Sequence, residues 1–264
     1  MIEVSNDATT DHTLSSDGAS TALLTDQYEY TMLSAALASG YADRPCSFEV
    51  FARRLPGGRR YGVVAGTERI LDAVDRFRFG PDELRVVSKF LDADTVEWLR
   101  NYRFTGDIDG YREGELYFPG SPVLTVRGTF AECVVLETVV LSILNHDSAI
   151  ASAAARMVAS AEARPIIEMG SRRTHEEAAV AASRAAYLAG FTATSNLEAV
   201  RRHGVPGAGT SAHSFTLLHT TADGPDEKAA FAAQVRALGV GTTLLVDTYD
   251  IKQGVANAIE VAGP

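Results

Sequence analysis

Lysine is almost missing from this chain: Lys89, Lys228 and Lys252 are all of it in 264 residues. A Schiff-base aldolase needs a reactive amine, so that chemistry is disfavoured, with only Lys252 falling near the positions singled out below. Cysteine is as scarce. Cys46 and Cys133 stand far apart with no histidine pairing beside them, which suggests neither a disulfide framework nor a zinc site. A reducing, cytoplasmic setting is the expectation. The longest apolar segment, 133–144, carries Glu137 and falls well short of the ~20 apolar residues that span a bilayer, so it reads as a buried helix. Residues 1–21 are polar and acidic and lack a basic region followed by an apolar stretch, so they read as a disordered tail and not as a secretory signal. Positive charge is also short, with 24 basic residues against 34 acidic ones and a net charge of -10. Nucleic acid would meet repulsion, and a small anionic substrate would need a local basic pocket.

What is present is an ordinary globular composition, 46% hydrophobic and 22% charged, long enough to bury a core. Behind Thr25-Asp26, the positions Tyr28, Met32, Ala35 and Ala36 recur at helical spacing. Residues 47–52 alternate like a strand, Pro56-Gly57-Gly58 makes a turn, and 61–64 reads as a second strand. Helices are expected over 67–77, 81–91 and 94–102, then a small β region over 107–127, then two long helices over 130–144 and 147–162. After Arg164 strand and helix alternate: strand 165–169, helix 175–189, strand 191–194, helix 196–203, strand 205–209, a further helix, strand 243–246. That order makes a parallel sheet. The fold class expected is α/β, an incomplete βα barrel over 131–264 preceded by an α+β N-terminal domain over 22–130. A closed barrel takes about eight strands, twice the number read here; an open sheet is the alternative.

In such folds the polar groups just past the strand C-termini face the site. Each strand here ends in such a burst: Gly170-Ser171-Arg172-Arg173-Thr174-His175, then Ser195-Asn196, then Gly209-Thr210-Ser211-Ala212-His213-Ser214, then Asp247-Thr248-Tyr249-Asp250. Arg172 or Arg173 could aim a guanidinium fork at a carboxylate or phosphate, or the two could be a plain surface pair. His213 could act as acid, base or nucleophile toward phosphorus, or be a satisfied structural histidine. His146, His175, His203 and His219 have weaker contexts, and His203 reads as a helix end before Gly204. Asp247 and Asp250 could hold a magnesium ion, sugar hydroxyls or a histidine, or Asp247 could cap the next helix. From the residues alone this is an anion-binding α/β enzyme, because fold and rim position do not name a reaction.

Several motifs together resemble the nicotinate phosphoribosyltransferases. They are Leu24-Thr25-Asp26-Gln27-Tyr28-Glu29-Tyr30-Thr31-Met32, Gly106-Asp107-Ile108 through Glu113-Gly114-Glu115 and Phe118-Pro119, Glu168-Met169-Gly170-Ser171-Arg172-Arg173, Thr194-Ser195-Asn196, the Gly209 to Ser214 run and Leu245-Val246-Asp247-Thr248-Tyr249-Asp250. The resemblance covers about 22–260 and implies a type II phosphoribosyltransferase-like barrel. It also implies conversion of nicotinate and phosphoribosyl pyrophosphate (PRPP) into nicotinate mononucleotide and pyrophosphate, coupled to ATP hydrolysis with magnesium, in the salvage of the pyridine ring into NAD. By motif, Tyr28 would stack on or bound the pyridine ring, and Arg172 or Arg173 with Thr210 would hold the carboxylate. Ser195 and Asn196 would join the substrate-binding set. His213 would be transiently phosphorylated by ATP, Asp247 would sit in the catalytic set, and a homodimer is the implied assembly. The family's Arg-Leu-Asp-Ser-Gly-Asp type segment has no counterpart here, so the ribose-phosphate site is expected to be missing from this stretch. The rivals are quinolinate or nicotinamide as substrate, and a non-catalytic truncated paralogue that folds or dimerises.

Overall fold

The structure is a computed structural model that describes residues 18–263. Residues 1–17 of the expected tail lie outside the described residues. Ser20 and Thr21, assigned to that tail, are instead docked: Thr21 is buried and its Oγ1 donates to Ala73 O, while Ser20 Oγ donates to Arg78 O. Satisfied hydrogen bonds and burial of Ala22 hold this stretch in place.

Helix α1 (Gln27–Ser39) buries Tyr30, Leu33 and Ala36 on one face and ends at Gly40, whose φ of 75° suits a glycine cap. A three-stranded antiparallel sheet lies beside it, with β5 (Pro122–Thr129) between β1 (Pro45–Phe51) and β3 (Asp107–Gly110). Helices α2 (Thr67–Asp75), α3 (Pro81–Val87) and α4 (Ala93–Arg100) close the core. Phe77, Phe79 and Tyr102 meet edge to face there, over fully buried Leu33, Ile70 and Leu99. Cys46 and Cys133, remote in sequence, share this core as free thiols: Cys46 pairs across the ladder with Gly128, and a Cβ on Gly128 would come within 3.1 Å of Cys133 Sγ. Burial pushes the Cys133 thiol up to about 12, so it behaves as an inert apolar group.

The sheet runs directly into α5 (Phe130–Val134) through a capping box. Thr129 Oγ1 accepts from Glu132 N at 3.3 Å, and Glu132 Oε2 accepts from Thr129 N at 3.0 Å. Thr129→Ala is expected to cost about 1 kcal/mol in a urea melt; an unchanged midpoint would mean the box does not hold.

The two helices expected over 130–144 and 147–162 are not divided there. The break falls at Val135-Leu136, and α6 (Glu137–Ala161) then runs on for 25 residues. Asp147 does not start a helix, because its carboxylate is fully buried and takes Arg69 Nη1 at 2.8 and 2.9 Å. The short strand β2 (Gly62–Val63) pairs with β4 (Leu116–Tyr117). Serines of α6 serve the amides beside that pair: Val63 N donates to Ser152 Oγ at 2.8 Å and Ala65 N to Ser148 Oγ at 3.1 Å.

Beyond α6 the expected βα alternation appears. Strand β6 (Ile167–Glu168) pairs in parallel with β7 (Ala193–Thr194), and a parallel bridge joins Thr194 to Gly207. Helices α7 (Glu176–Leu188) and α8 (Leu197–His203) alternate with them, and α8 ends at His203 before Gly204 as read from the sequence. Helix α9 (His213–Leu218), the hairpin of β8 (Thr220–Thr221) and β9 (Gly224–Pro225), α10 (Glu227–Leu238) and α11 (Ile251–Ala262) complete a mixed α/β architecture. The strand expected over 243–246 does not form. No strand among the described residues pairs with it, and Gln234 Nε2 of α10 takes its first carbonyl, Thr243 O, at 2.9 Å. The cap of α11 is Asp250, which accepts from Gln253 N at 2.8 Å, and not Asp247.

A buried ion pair joins α7 to the β region. Arg184 Nη1 and Nη2 reach Glu113 at 2.9 and 2.7 Å, with the two side chains 9% and 8% exposed, and Glu68 accepts from Nη2 at 2.6 Å.

Candidate functional site

The turn after β6 carries the two arginines. Residues Ser171–Arg173 form one turn of 3-10 helix closed by Arg173 N donating to Gly170 O at 2.8 Å. Arg172 and Arg173 are both exposed, and neither meets a carboxylate among the described residues. Unneutralised guanidiniums at a strand end are what an anionic ligand requires. Ser195, one strand over, is exposed and donates its backbone N–H to Glu168 O at 2.9 Å. Asn196 has both ends of its amide engaged: Oδ1 caps α8 by accepting from Ala199 N at 2.9 Å, and Nδ2 donates to Ser171 Oγ at 3.1 Å. Its side chain holds the arginine turn against β7.

Three of the remaining rim residues meet at α9. His213 is its first residue, half exposed, with Nδ1 3.2 Å from Thr248 Oγ1 and Nε2 4.0 Å from Asp247 Oδ1. With the proton on Nε2, the nitrogen that faces the Asp247 carboxylate, the Nδ1 lone pair would accept from the Thr248 hydroxyl. Thr210 stands nearby in sequence, exposed, with its hydroxyl donated to Ser211 O at 3.0 Å.

Tyr28 belongs to a different place. It lines a cavity of about 630 Å³ between α1, the end of β1 and α6, with Arg53, Arg54 and Arg59 on the wall and Asn145, Ser148 and Ser152 on the floor. Arg172, Arg173, Thr210, His213 and Asp247 do not line it. Buried Glu29 fixes the helix that carries Tyr28: Oε1 accepts from Thr138 N at 2.9 Å and Thr138 Oγ1 at 2.5 Å, at the start of α6, and Oε2 accepts from Thr25 Oγ1. Burial pushes the Glu29 carboxyl up, and the bonds from Thr138 and Thr25 bring it only part of the way back. Arg53, Arg54 and Arg59 are paired with no carboxylate among the described residues. They are the residues that reading by motif passes over, although four arginines flanking Pro56-Gly57-Gly58 in an acidic chain are a visible signal.

Among the described residues there is no group of three or more His, Cys, Asp or Glu that could hold a metal ion. No helix among them is long and apolar enough to cross a membrane.

Residues 23–145 match the nicotinate phosphoribosyltransferase N-terminal domain. Over 244 residues the chain is 69% identical to the nicotinate phosphoribosyltransferase pncB1 of Mycobacterium tuberculosis, which covers 91% of this chain and 54% of that protein. Over 247 residues it is 36% identical to the nicotinate phosphoribosyltransferase of Bacillus subtilis, covering 92% of this chain and 49% of that one. The crystal structure of human nicotinic acid phosphoribosyltransferase superposes with a TM-score of 0.80 at 29% identity, over 91% of this chain and 59% of the human one. The chain therefore spans about half the length of the curated relatives it matches. In its N-terminal and central part, this chain belongs to the nicotinate phosphoribosyltransferase family.

Proposed function

We propose that the chain takes part in joining nicotinate to PRPP, with ATP hydrolysis, to give nicotinate mononucleotide and pyrophosphate in NAD salvage. The observation that carries this reading is the pair of unneutralised arginines on the turn after β6, in a chain whose close relatives bear that enzyme's name. A pyridine carboxylate offers one planar anion, and a guanidinium fork on Arg172 or Arg173 matches it with two parallel hydrogen bonds. Thr210 and Ser195 supply further polar contacts. The ring nitrogen then attacks the anomeric carbon of PRPP as the bond to pyrophosphate breaks. Positioning is the protein's main lever in that displacement. Magnesium would be brought by the phosphates of PRPP and ATP and would offset the charge that develops on the leaving pyrophosphate.

Arg53, Arg54 and Arg59 fit the phosphate groups, and Tyr28 beside them fits the face of the pyridine ring. Because the rim residues do not line that cavity, a second copy of the chain is the means of bringing the two sets together, as a homodimer. The parallel pairing of β6, β7 and Gly207 supports the finer reading of a βα barrel beginning there. A carboxylate-reading turn predicts substrate choice. Purified protein given PRPP and ATP is expected to form nicotinate mononucleotide and to leave nicotinamide unused, read by chromatography of the products. Equal turnover of the two would remove the substrate assignment, and preference for quinolinate would move it to a dicarboxylate.

A further inference from the structure

Glu168, the last residue of β6, has no part in the chemistry above, yet its carboxylate ties three elements together. Oε2 accepts from Ser183 Oγ of α7 at 2.7 Å and from Thr194 Oγ1 of β7 at 2.8 Å, and Oε1 accepts from the backbone N–H of Gly170. Ser183 and Thr194 are both 0% exposed, so these hydroxyls are held in fixed places. Thr194 Oγ1 in turn accepts from Asn196 N at 3.0 Å, and Asn196 Nδ2 donates to Ser171 Oγ at 3.1 Å. The arginine turn is therefore gripped at two successive residues: Gly170 directly by Glu168, and Ser171 through Asn196. Both lines of hydrogen bonds meet at Thr194.

Gly170 is part of the device. Its φ of -86° would suit any residue, so no backbone freedom is being used there. A Cβ on it would instead stand 2.7 Å from Glu168 Oε1, in the space the carboxylate needs to reach the Gly170 N–H. Absence of a side chain and presence of the carboxylate are one requirement.

We propose that Glu168 is a positioning residue: it holds the Gly170 to Arg173 turn at the angle that aims a guanidinium fork at a pyridine carboxylate, and so sets the preference for the acid over the amide. A fork makes two parallel bonds only when held to within a fraction of an ångström, which exposed side chains on a loose turn cannot do. The proposal rests on the nicotinate reading above. Glutamine keeps one acceptor oxygen for the Gly170 N–H, and its Nε2 can donate to the Ser183 and Thr194 hydroxyls once these turn their own protons elsewhere, so glutamine should largely replace Glu168 and leucine should not.

The test uses the 264-residue chain with two readouts, hydrogen–deuterium exchange over 169–175 and the affinities for nicotinate and nicotinamide by calorimetry. Glu168→Leu and Gly170→Ala are each expected to speed exchange in that peptide about tenfold and to weaken nicotinate binding by roughly tenfold, while nicotinamide binding stays where it was. Glu168→Gln should restore both to near the starting values. Unchanged exchange in Gly170→Ala, whose exposed turn tolerates alanine if Glu168→Leu fails to fold, overturns the proposal. So does faster exchange with nicotinate affinity unaltered. If the unsubstituted chain binds no nicotinate while exchange responds as expected, the substrate reading falls and the hold of Glu168 on the turn stands.

Discussion

Arg184→Met is expected to cost about 3–5 kcal/mol, because it strands the buried Glu113 carboxylate without its partner. For a chain of this size that is a fall in melting temperature of roughly 6–20 °C, measured by calorimetry at neutral pH. The pair is nearly sealed from water at 9% and 8% exposure, and Glu113 Oε1 also accepts from Gly66 N at 2.6 Å, so no solvent is at hand to replace the lost guanidinium. Glu68, 78% exposed, loses little. Adding Glu113→Gln to the same chain should recover much of the loss, since glutamine removes the stranded charge and keeps an acceptor for Gly66. The pH dependence has a definite sign. Burial pushes the Glu113 carboxyl up, but the bonds and charge of Arg184, helped by the N–H of Gly66, outweigh it and hold the group below its usual value of 4.5. A depressed folded value means stability present above the unfolded value and lost as pH falls through the folded one. In Arg184→Met the guanidinium is gone and only backbone N–H bonds such as that of Gly66 oppose the desolvation, so the deficit should shrink as the solution is acidified below about pH 5. A deficit under about 1 kcal/mol at neutral pH, the range of exposed pairs, would show that the pair is not sealed.

Much of this arrangement was legible in the sequence, for reasons that differ element by element. Helix α7 falls at Glu176–Leu188 against an expected 175–189, because an alanine-rich run between two polar strand ends has one reading. The boundary inside α6 was not legible. Asp147 looks like a helix start until Arg69, 78 positions away, is seen to bind its carboxylate within the helix. The apolar run Leu244-Leu245-Val246 has strand composition, yet a strand exists only where a neighbouring edge pairs with it, and that is no property of the run itself. Arg172, Arg173, Ser195 and Asn196 do follow β6 and β7, because polar groups after strand ends are a local pattern, whereas Asp247 follows no strand. Arg53, Arg54 and Arg59 flank a turn and acquire a cavity only when α6 crosses them, as Ser152 does in reaching Val63 across 89 positions. Glu168 stands in a recognisable motif, but its place under Gly170 depends on Ser183 and Thr194, both supplied by the fold.

If the chain takes part in the proposed reaction and ATP phosphorylates His213, as the family resemblance implies, His213→Ala is expected to abolish phosphoprotein formation and to cut ATP-stimulated synthesis of nicotinate mononucleotide by at least about a hundredfold. On that reading, with the proton on Nε2 facing Asp247, Nδ1 carries the lone pair, and once the Thr248 hydroxyl bonded to it turns away Nδ1 would attack the γ-phosphorus of ATP, forming an N–P bond as ADP leaves. Label from γ-labelled ATP should therefore be acid-labile and base-stable, and phosphorus NMR of the digested protein should place it on Nδ1. Asp247→Asn removes the charge that favours this tautomer and should slow labelling without preventing it, because the Nδ1 nucleophile itself is untouched. Thr248→Val should act on the other nitrogen, leaving the ring less well held but its lone pair unobstructed, so a smaller loss is expected than from Asp247→Asn. Label that survives in His213→Ala would assign the phosphate to another group, and label on Nε2 would reverse the tautomer argued from Asp247. The two outcomes separate the identity of the nucleophile from the way its neighbours prepare it.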